Sequence, residues 1–386
     1  MSLFPRLAPL LALVSLLTSG TVTAATVYTG DRIDGVQVID RLDVANLPTG
    51  TTHLWFRVTD TAIGQGWYVP VIVVKGAMPG PRLLLTAGIH GDELNGIGVI
   101  QQVTTTIDPK LLSGTIVAVA GLNTPGLLHS TRGFTADEIG TNGDNLNRIM
   151  PNPADTFIPD TGGPAARYAG RLWSQLFTGN ADYAIDFHTQ SRGGQYPAYV
   201  FAQTAGARQL ADLLRPDIIN MDPGIEGALE NMLDAAHVAA VTYELGAPET
   251  FDGPTIDRAV RGVRNILIAK GMLAGKPDLT TPVLGGSKPF VGNEVVDVTG
   301  PRGGWAHVGV HLGQDVKAGD TLATLTDPFG TVIATLTAPS AGRVLSLATD
   351  PRTEPGDMVV RLIDWNSALP CQADGCPDTT AMVKDN

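Results

Sequence analysis

Cysteine is almost missing from this chain: of 386 residues only two are cysteine, Cys371 and Cys376, both in a polar tail. In an oxidising compartment the pair is expected to close a local disulfide, with free exposed thiols as the alternative. Neither lies near the residues singled out below, so the chemistry read from them needs no thiol. Basic residues are also in short supply, 26 Lys and Arg against 38 Asp and Glu, for a net charge of -12. With no basic stripe, such a surface repels phosphate backbones, which argues against a nucleic-acid partner. Long apolar runs are absent too. Leu7–Leu17, behind Arg6, is too short to span a bilayer. Followed by small residues up to Ala25, it reads as a secretory signal, residues 1–24, cleaved near Ala24. A disordered or packed apolar N-terminus is the alternative. The signal reading places the mature chain in the periplasm or outside the cell, with no stable membrane insertion. No cysteine adjoins the cleavage point, so a lipid anchor is not supported. Losing Arg6 and no acid would take the charge from -12 to -13.

What remains is 43% hydrophobic, enough for a sizeable core in two domains or one domain with an appendage. Residues 25–66 read as a β lead-in. From Trp67 short apolar runs at 67–75, 82–89, 115–120, 183–187, 198–201 and 238–243 alternate with amphipathic stretches at 93–103, 165–177, 205–214 and 256–270. That alternation predicts an α/β catalytic domain, 67–275, with a mostly parallel sheet sandwiched by helices. The Gly-, Pro- and Thr-rich stretch Gly271–Pro289 reads as a linker, bounded at 276–290, before an all-β domain, 291–365, and a polar tail, 366–386. Within that β domain, Gly313–Leu325 and Ala338–Leu345 resemble the half-repeats of biotinyl/lipoyl barrel-sandwich domains. Between them stands Asp327-Pro328-Phe329-Gly330, without the lysine such carriers need, so no swinging-arm cofactor is expected.

The chemistry concentrates at predicted strand ends, where ligands bind in parallel α/β sheets. In LLLTAGIHGDELNG, His90 and Glu93 sit three residues apart at the start of a predicted helical turn, and His188 ends the run ADYAIDFH. Two histidines and a glutamate form the set that catalytic zinc uses while keeping one position for water. Gly88 and Gly91 allow close backbone approach. The alternative is a pair of hydrogen-bonded histidines and an ordinary first-turn acid. Asp186, two residues before His188, could orient a ligating imidazole, or bond local backbone. Leu94 follows Glu93, so the motif is not of the H-x-x-E-H type. Between the ligands lie Arg132 and the segment GDNLNR, whose Asn147 and Arg148 offer a fork for an anionic substrate group while Arg132 could stabilise an oxyanion; surface arginines are the alternative. Glu244, ending VAAVTYELG, could take a proton from the attacking water and pass it to a leaving amine, or be a plain strand-end acid. His129, His237, His307 and His311 read as polar or packed histidines; the spacing of the last two puts them on one predicted strand face, with a place near the cleft as the alternative.

GIHGDELNG, an arginine followed by DNLNR, DFHT and YELG, with a β domain after them, resemble the succinylglutamate desuccinylase/aspartoacylase family, relatives of the zinc carboxypeptidases. The resemblance covers most of residues 67–365 and implies a zinc carboxypeptidase-like fold with one Zn2+ per chain. It implies His90, Glu93 and His188 as zinc ligands, Arg132 as carbonyl polariser, Asn147 and Arg148 as carboxylate clamp, and Glu244 as general base. Two departures stand out: Arg132 is sixteen residues before Arg148, and residues 291–365 hold no tyrosine that could lend a phenol to the site. The expected function is a zinc amidohydrolase that deacylates an N-acyl amino acid or a similar small carboxylated amide, ester cleavage being open to the same site. A carboxypeptidase-like enzyme acting on peptides of the cell wall or elsewhere is the alternative. A binding protein on a decayed scaffold should have lost a ligand or the base, and this chain keeps all of them.

Overall fold

Strand-forming runs rich in Val, Ile and Leu supply a single large sheet, and the glycines between them let the chain turn toward its faces. The computed structural model describes residues 25–134, 145–154, 162–221 and 223–369. The signal-sequence reading of 1–24 and the cysteine-bearing tail lie outside the described residues. In chain order the first part runs β1 (Val27–Ile33), β2 (Val36–Arg41), β3 (Gly50–Asp60), β4 (Gly66–Lys75), β5 (Met78–Ala87), α1 (Asn95–Thr106), β6 (Ser113–Ala120), α2 (Thr124–His129), α3 (Pro164–Leu172) and β7 (Tyr183–His188). It continues with β8 (Gly194–Gln195), β9 (Ala198–Phe201), α4 (Ala205–Leu214), β10 (Ile218–Asn220), α5 (Leu229–Ala235), β11 (Ala239–Leu245), α6 (Gly253–Ala269) and β12 (Phe290–Gly292).

Eleven of these strands form one sheet in the order β1-β2-β3-β4-β6-β5-β7-β11-β9-β10-β12. Its centre, β6-β5-β7-β11, is parallel throughout, and β9-β10-β12 is parallel as well. Antiparallel pairs join β4 to β6 and β9 to β11, so the sheet is mixed and mostly parallel. The expected β lead-in forms its first edge. Side chains alternate across the pleat. Leu84 and Val117 face a core layer shared with Tyr168 and Leu172 of α3 and Leu229 and Leu233 of α5. Leu83 and Leu85 face the opposite layer, with Val99 of α1, Leu210 of α4 and Val263 of α6. Near-continuous burial on both faces is why the strands read as unbroken apolar runs.

Beyond β12 the chain is all strand: β13 (Glu294–Thr299), β14 (Gly304–Val308), β15 (Asp315–Val316), β16 (Thr321–Thr326), β17 (Val332–Thr337), β18 (Gly342–Ala348), β19 (Arg352–Thr353) and β20 (Met358–Asp364). They build two antiparallel sheets, β13-β20-β18-β15 and β17-β16-β14-β19, around a core of Leu322, Leu325, Val344, Val360 and Leu362. The two parts interlock. β8 of the first part pairs with β18, Leu347 opposite Gln195, and β12 closes the large sheet beside β10.

Asp217, 2% exposed, pins that junction. It accepts from Arg258 Nη2 of α6 at 2.8 Å, from the Ala198 N–H of β9 at 3.0 Å and from the Leu284 N–H of the connecting segment at 2.7 Å. Removing it takes the ion-pair partner from the half-buried Arg258, which keeps only its bonds to Arg215 O, and leaves two backbone donors unsatisfied. Asp217→Ala should therefore cost about 3 to 5 kcal/mol of unfolding free energy, read as a lower urea midpoint; an unshifted midpoint would show that water replaces the carboxylate.

Candidate active site

The loop after β5 carries the first two site residues, and its path depends on glycine. Gly88 has φ +72°, a left-handed conformation disfavoured for other residues. A Cβ on Gly91 would lie 2.0 Å from the Gly126 carbonyl carbon, so this backbone can lie against α2 only as glycine. The helix expected from Glu93 begins at Asn95 instead. The Gly91 N–H donates to Thr131 O at 2.9 Å and the Glu93 N–H to His90 O at 3.3 Å, which folds 90–93 into a turn ahead of the helix. That turn still brings His90 and Glu93 together.

The parallel register of β7 and β11 does the rest. Glu244 is the register partner of His188, and Thr242 of Asp186. The three expected metal ligands meet: ligand atoms of His90, Glu93 and His188 all lie within 4.8 Å of one another, and all three residues are buried. His90 Nδ1 is 2.9 Å from Glu93 Oε1 and His188 Nδ1 is 2.8 Å from Glu93 Oε2. Both imidazoles are held at the far nitrogen. His188 Nε2–H donates to Asp186 Oδ2 at 2.8 Å, and Thr86 Oγ1 donates to Asp186 Oδ1 at 2.6 Å. His90 Nε2–H donates to Asn145 Oδ1 at 3.0 Å. Both Nδ1 atoms thus face Glu93, and an imidazole protonated only at Nε2 offers its Nδ1 lone pair there, as a His2Glu zinc site needs. The residues therefore fit a divalent metal. Burial would lower the His188 pKa, but Asp186 and then Glu93 outweigh it and hold it well above the usual value. Burial likewise favours neutral Glu93, yet His90 and His188 hold it well below the usual carboxylate range.

A cavity of about 540 Å³ opens over these residues, within the range that encloses a small substrate. Arg132 and Arg148 both line it. Arg132 Nη1 donates to Glu93 Oε1 at 3.1 Å and to Ser191 Oγ at 2.5 Å, so the side chain lies beside the donor set. Arg148 is half-buried, and burial followed by repulsion from Arg132 lowers its pKa. Two guanidiniums facing one cavity favour an anion between them. Asn147 Oδ1 accepts the Leu229 N–H at 2.8 Å. Only its NH2 end is left for the cavity, the donor polarity a carboxylate needs. Glu244 is 8% exposed, and its Oε2 has no hydrogen-bond partner among the described residues. Burial pushes its carboxyl well above the usual range.

Several groups in or beside the site carry no mark in the sequence. Asn145 sits in the GDNLNR segment, where its role as the anchor of His90 has no local signature. Ser191 donates to Glu93 Oε1 at 2.7 Å. The phenol absent from the C-terminal β part comes from the α/β part: Tyr196 lines the cavity, and its OH accepts from Arg361 Nη1 of β20 at 3.0 Å. Arg361 is locked to Asp297 of β13 at 2.5 and 2.9 Å. Val295 and Arg361 thereby bring the second part of the chain to the cavity wall. His307 is exposed on β14, His311 lies past the end of that strand, and neither lines the cavity, because the strand stops at Val308.

The family model of the succinylglutamate desuccinylase/aspartoacylase catalytic domain matches residues 79–269. That segment holds every site residue from His90 to Glu244. Over 294 residues the chain is 24% identical to the N-alpha-acetyl-L-2,4-diaminobutyric acid deacetylase of Halomonas elongata, covering 72% of this chain and 80% of that one. The product-bound ectoine utilization protein EutE of Ruegeria pomeroyi has the same fold, with TM-score 0.69 and 22% identity over 82% of this chain and 97% of that chain. So does a succinylglutamate desuccinylase/aspartoacylase from Rhodobacter sphaeroides, with TM-score 0.71 and 21% identity over 84% and 98%. Through its α/β part and the site built on it, this chain belongs to the succinylglutamate desuccinylase/aspartoacylase family.

Proposed function

We propose that the protein is a zinc-dependent deacylase that hydrolyses the amide bond of a small N-acyl amino acid. One observation carries this reading: a buried His2Glu donor set, two guanidiniums and a partnerless carboxylate face one cavity of about 540 Å³. Family membership and the deacetylase relative support it. Zinc held by His90, Glu93 and His188 would supply Lewis-acid polarisation of the scissile carbonyl and a more acidic water. The side chains do the remainder. Arg148, with the Asn147 amide, grips the carboxylate of the amino-acid moiety. Arg132 offers N–H donors to the oxyanion as the carbonyl becomes tetrahedral. Glu244 takes a proton from the attacking water and returns it to the nitrogen of the breaking C–N bond, releasing the amine and the acyl acid. The wall formed by Val295 and Arg361 favours small substrates over the long peptides of a carboxypeptidase-like reading.

Metal analysis of the wild-type chain should find close to one zinc, and His188→Ala should lose most of it. Equal zinc in both would remove His188 from the site. Arg148→Ala should cost about 2 to 4 kcal/mol of transition-state stabilisation on N-acyl amino acids but far less on their methyl esters or amides. A matching loss on both substrate types would make Arg148 structural. Glu244→Gln should lower kcat by about 100- to 10,000-fold with zinc content and melting temperature nearly unchanged; turnover near wild type would sink the acid–base assignment.

A further inference from the structure

Past the ligand set the cavity runs to the start of α5, where it meets a second acid that the hydrolysis above does not use. Glu230 is 6% exposed and lines the cavity beside Thr242 and Glu244. Among the described residues no hydrogen bond is formed to its Oε2, and the Thr242 hydroxyl beside it is a neutral group that cannot balance a charge. The charged groups that act on it are Asp186 and His188, and Glu230 in turn acts on Arg148; among the described residues none of them forms an ion pair with it. An unpaired buried carboxylate is costly. Burial and then the Asp186 charge push this one up to about 7. A cation brought into the cavity would reverse that cost by pairing with the carboxylate.

The place of Glu230 says which part of a substrate could bring one. Asn147, the neighbour of Arg148, accepts the N–H of Leu229 at 2.8 Å, and the Met150 N–H donates to Gly227 O at 3.0 Å. The carboxylate clamp and the first turn of α5 are thus tied together. A substrate whose α-carboxylate rests on Arg148 and whose amide carbonyl lies against His90 and His188 can extend its amino-acid side chain toward Glu230. Between them the wall includes the rings of Tyr199 and Phe201 and the side chain of Ile225, surfaces suited to a short alkyl chain.

We propose that Glu230 is the specificity-determining residue of this pocket and that the preferred substrates are N-acyl amino acids whose side chain is a short alkyl chain ending in an ammonium group. This rests on the deacylase reading of the same site. The test is steady-state kinetics of the zinc-loaded full chain on Nα-acetyl-L-2,4-diaminobutyrate and Nα-acetyl-L-ornithine against the neutral Nα-acetyl-L-norvaline. Wild type should favour the cationic substrates by about 100-fold or more in kcat/KM. Glu230→Gln should erase that preference while leaving turnover of the norvaline derivative within about threefold, and Glu230→Asp should keep part of it. A wild-type enzyme that turns over the neutral substrate as well as the cationic ones overturns the proposal and leaves the deacylase reading intact. So does an equal loss on both substrates in Glu230→Gln. Absence of turnover on all three by zinc-loaded protein would instead overturn the deacylase reading, and this proposal with it. Should Glu230→Gln fail to fold, the wild-type ratio between substrates still decides.

Discussion

One buried carboxylate organises the centre of this molecule. Glu93, 2% exposed, is met by His90, His188, Arg132, Ser191 and the Thr189 N–H, all within 3.3 Å. Burying a charge is tolerable only when it is paired and hydrogen-bonded, and here the partners come from separate parts of the chain. The loop after β5 supplies His90, the end of β7 supplies His188, and the segment after α2 supplies Arg132. Satisfying Glu93 therefore fixes the mutual placement of those segments. The second tier follows the same logic, since Thr86 of β5 holds Asp186, which holds His188. The sheet register and the site chemistry are one constraint seen at two scales.

Around that centre the cavity carries both signs. Arg132 and Arg148 line it together with Glu244 and Glu230, each of which has an oxygen without a hydrogen-bond partner among the described residues. Uncompensated buried groups are concentrated at functional sites because a ligand or a transition state completes them. The interlocked β part contributes through packing and charge. Arg361, fixed by Asp297, donates to the Tyr196 hydroxyl and lines the cavity.

The fold was readable to the extent that it is local. The apolar run at 198–201 and the amphipathic stretch at 205–214 match β9 and α4 residue for residue, since both are set by side-chain period alone. The start of α1 was misplaced by two residues because the turn at 90–93 is decided by a backbone bond to Thr131, forty residues downstream. α5 escaped notice: seven residues with no side-chain cap leave little periodic signal. β12 was invisible for a related reason, since a three-residue strand is defined by its neighbour β10 more than by its own pattern.

The same division runs through the site. His90, Glu93, His188 and Glu244 could be picked out because each ends or follows an apolar strand, and strand ends are where a parallel sheet presents its ligands. Their chemical types then named the metal set. Asn145, Ser191, Tyr196 and Glu230 carry no such mark. Each lies in a polar or short segment, and each acquires its role only from contact with something distant in sequence: the His90 imidazole, the Glu93 carboxylate, Arg361, and the cavity itself. Hydrophobic period and residue chemistry are properties of neighbours along the chain, and they were enough for the sheet, its helices and the donor set. Burial, tautomer and the absence of a partner arise only when remote segments pack together, so the mixed charge of the cavity and the buried carboxylate of Glu230 within it belong to the folded molecule alone.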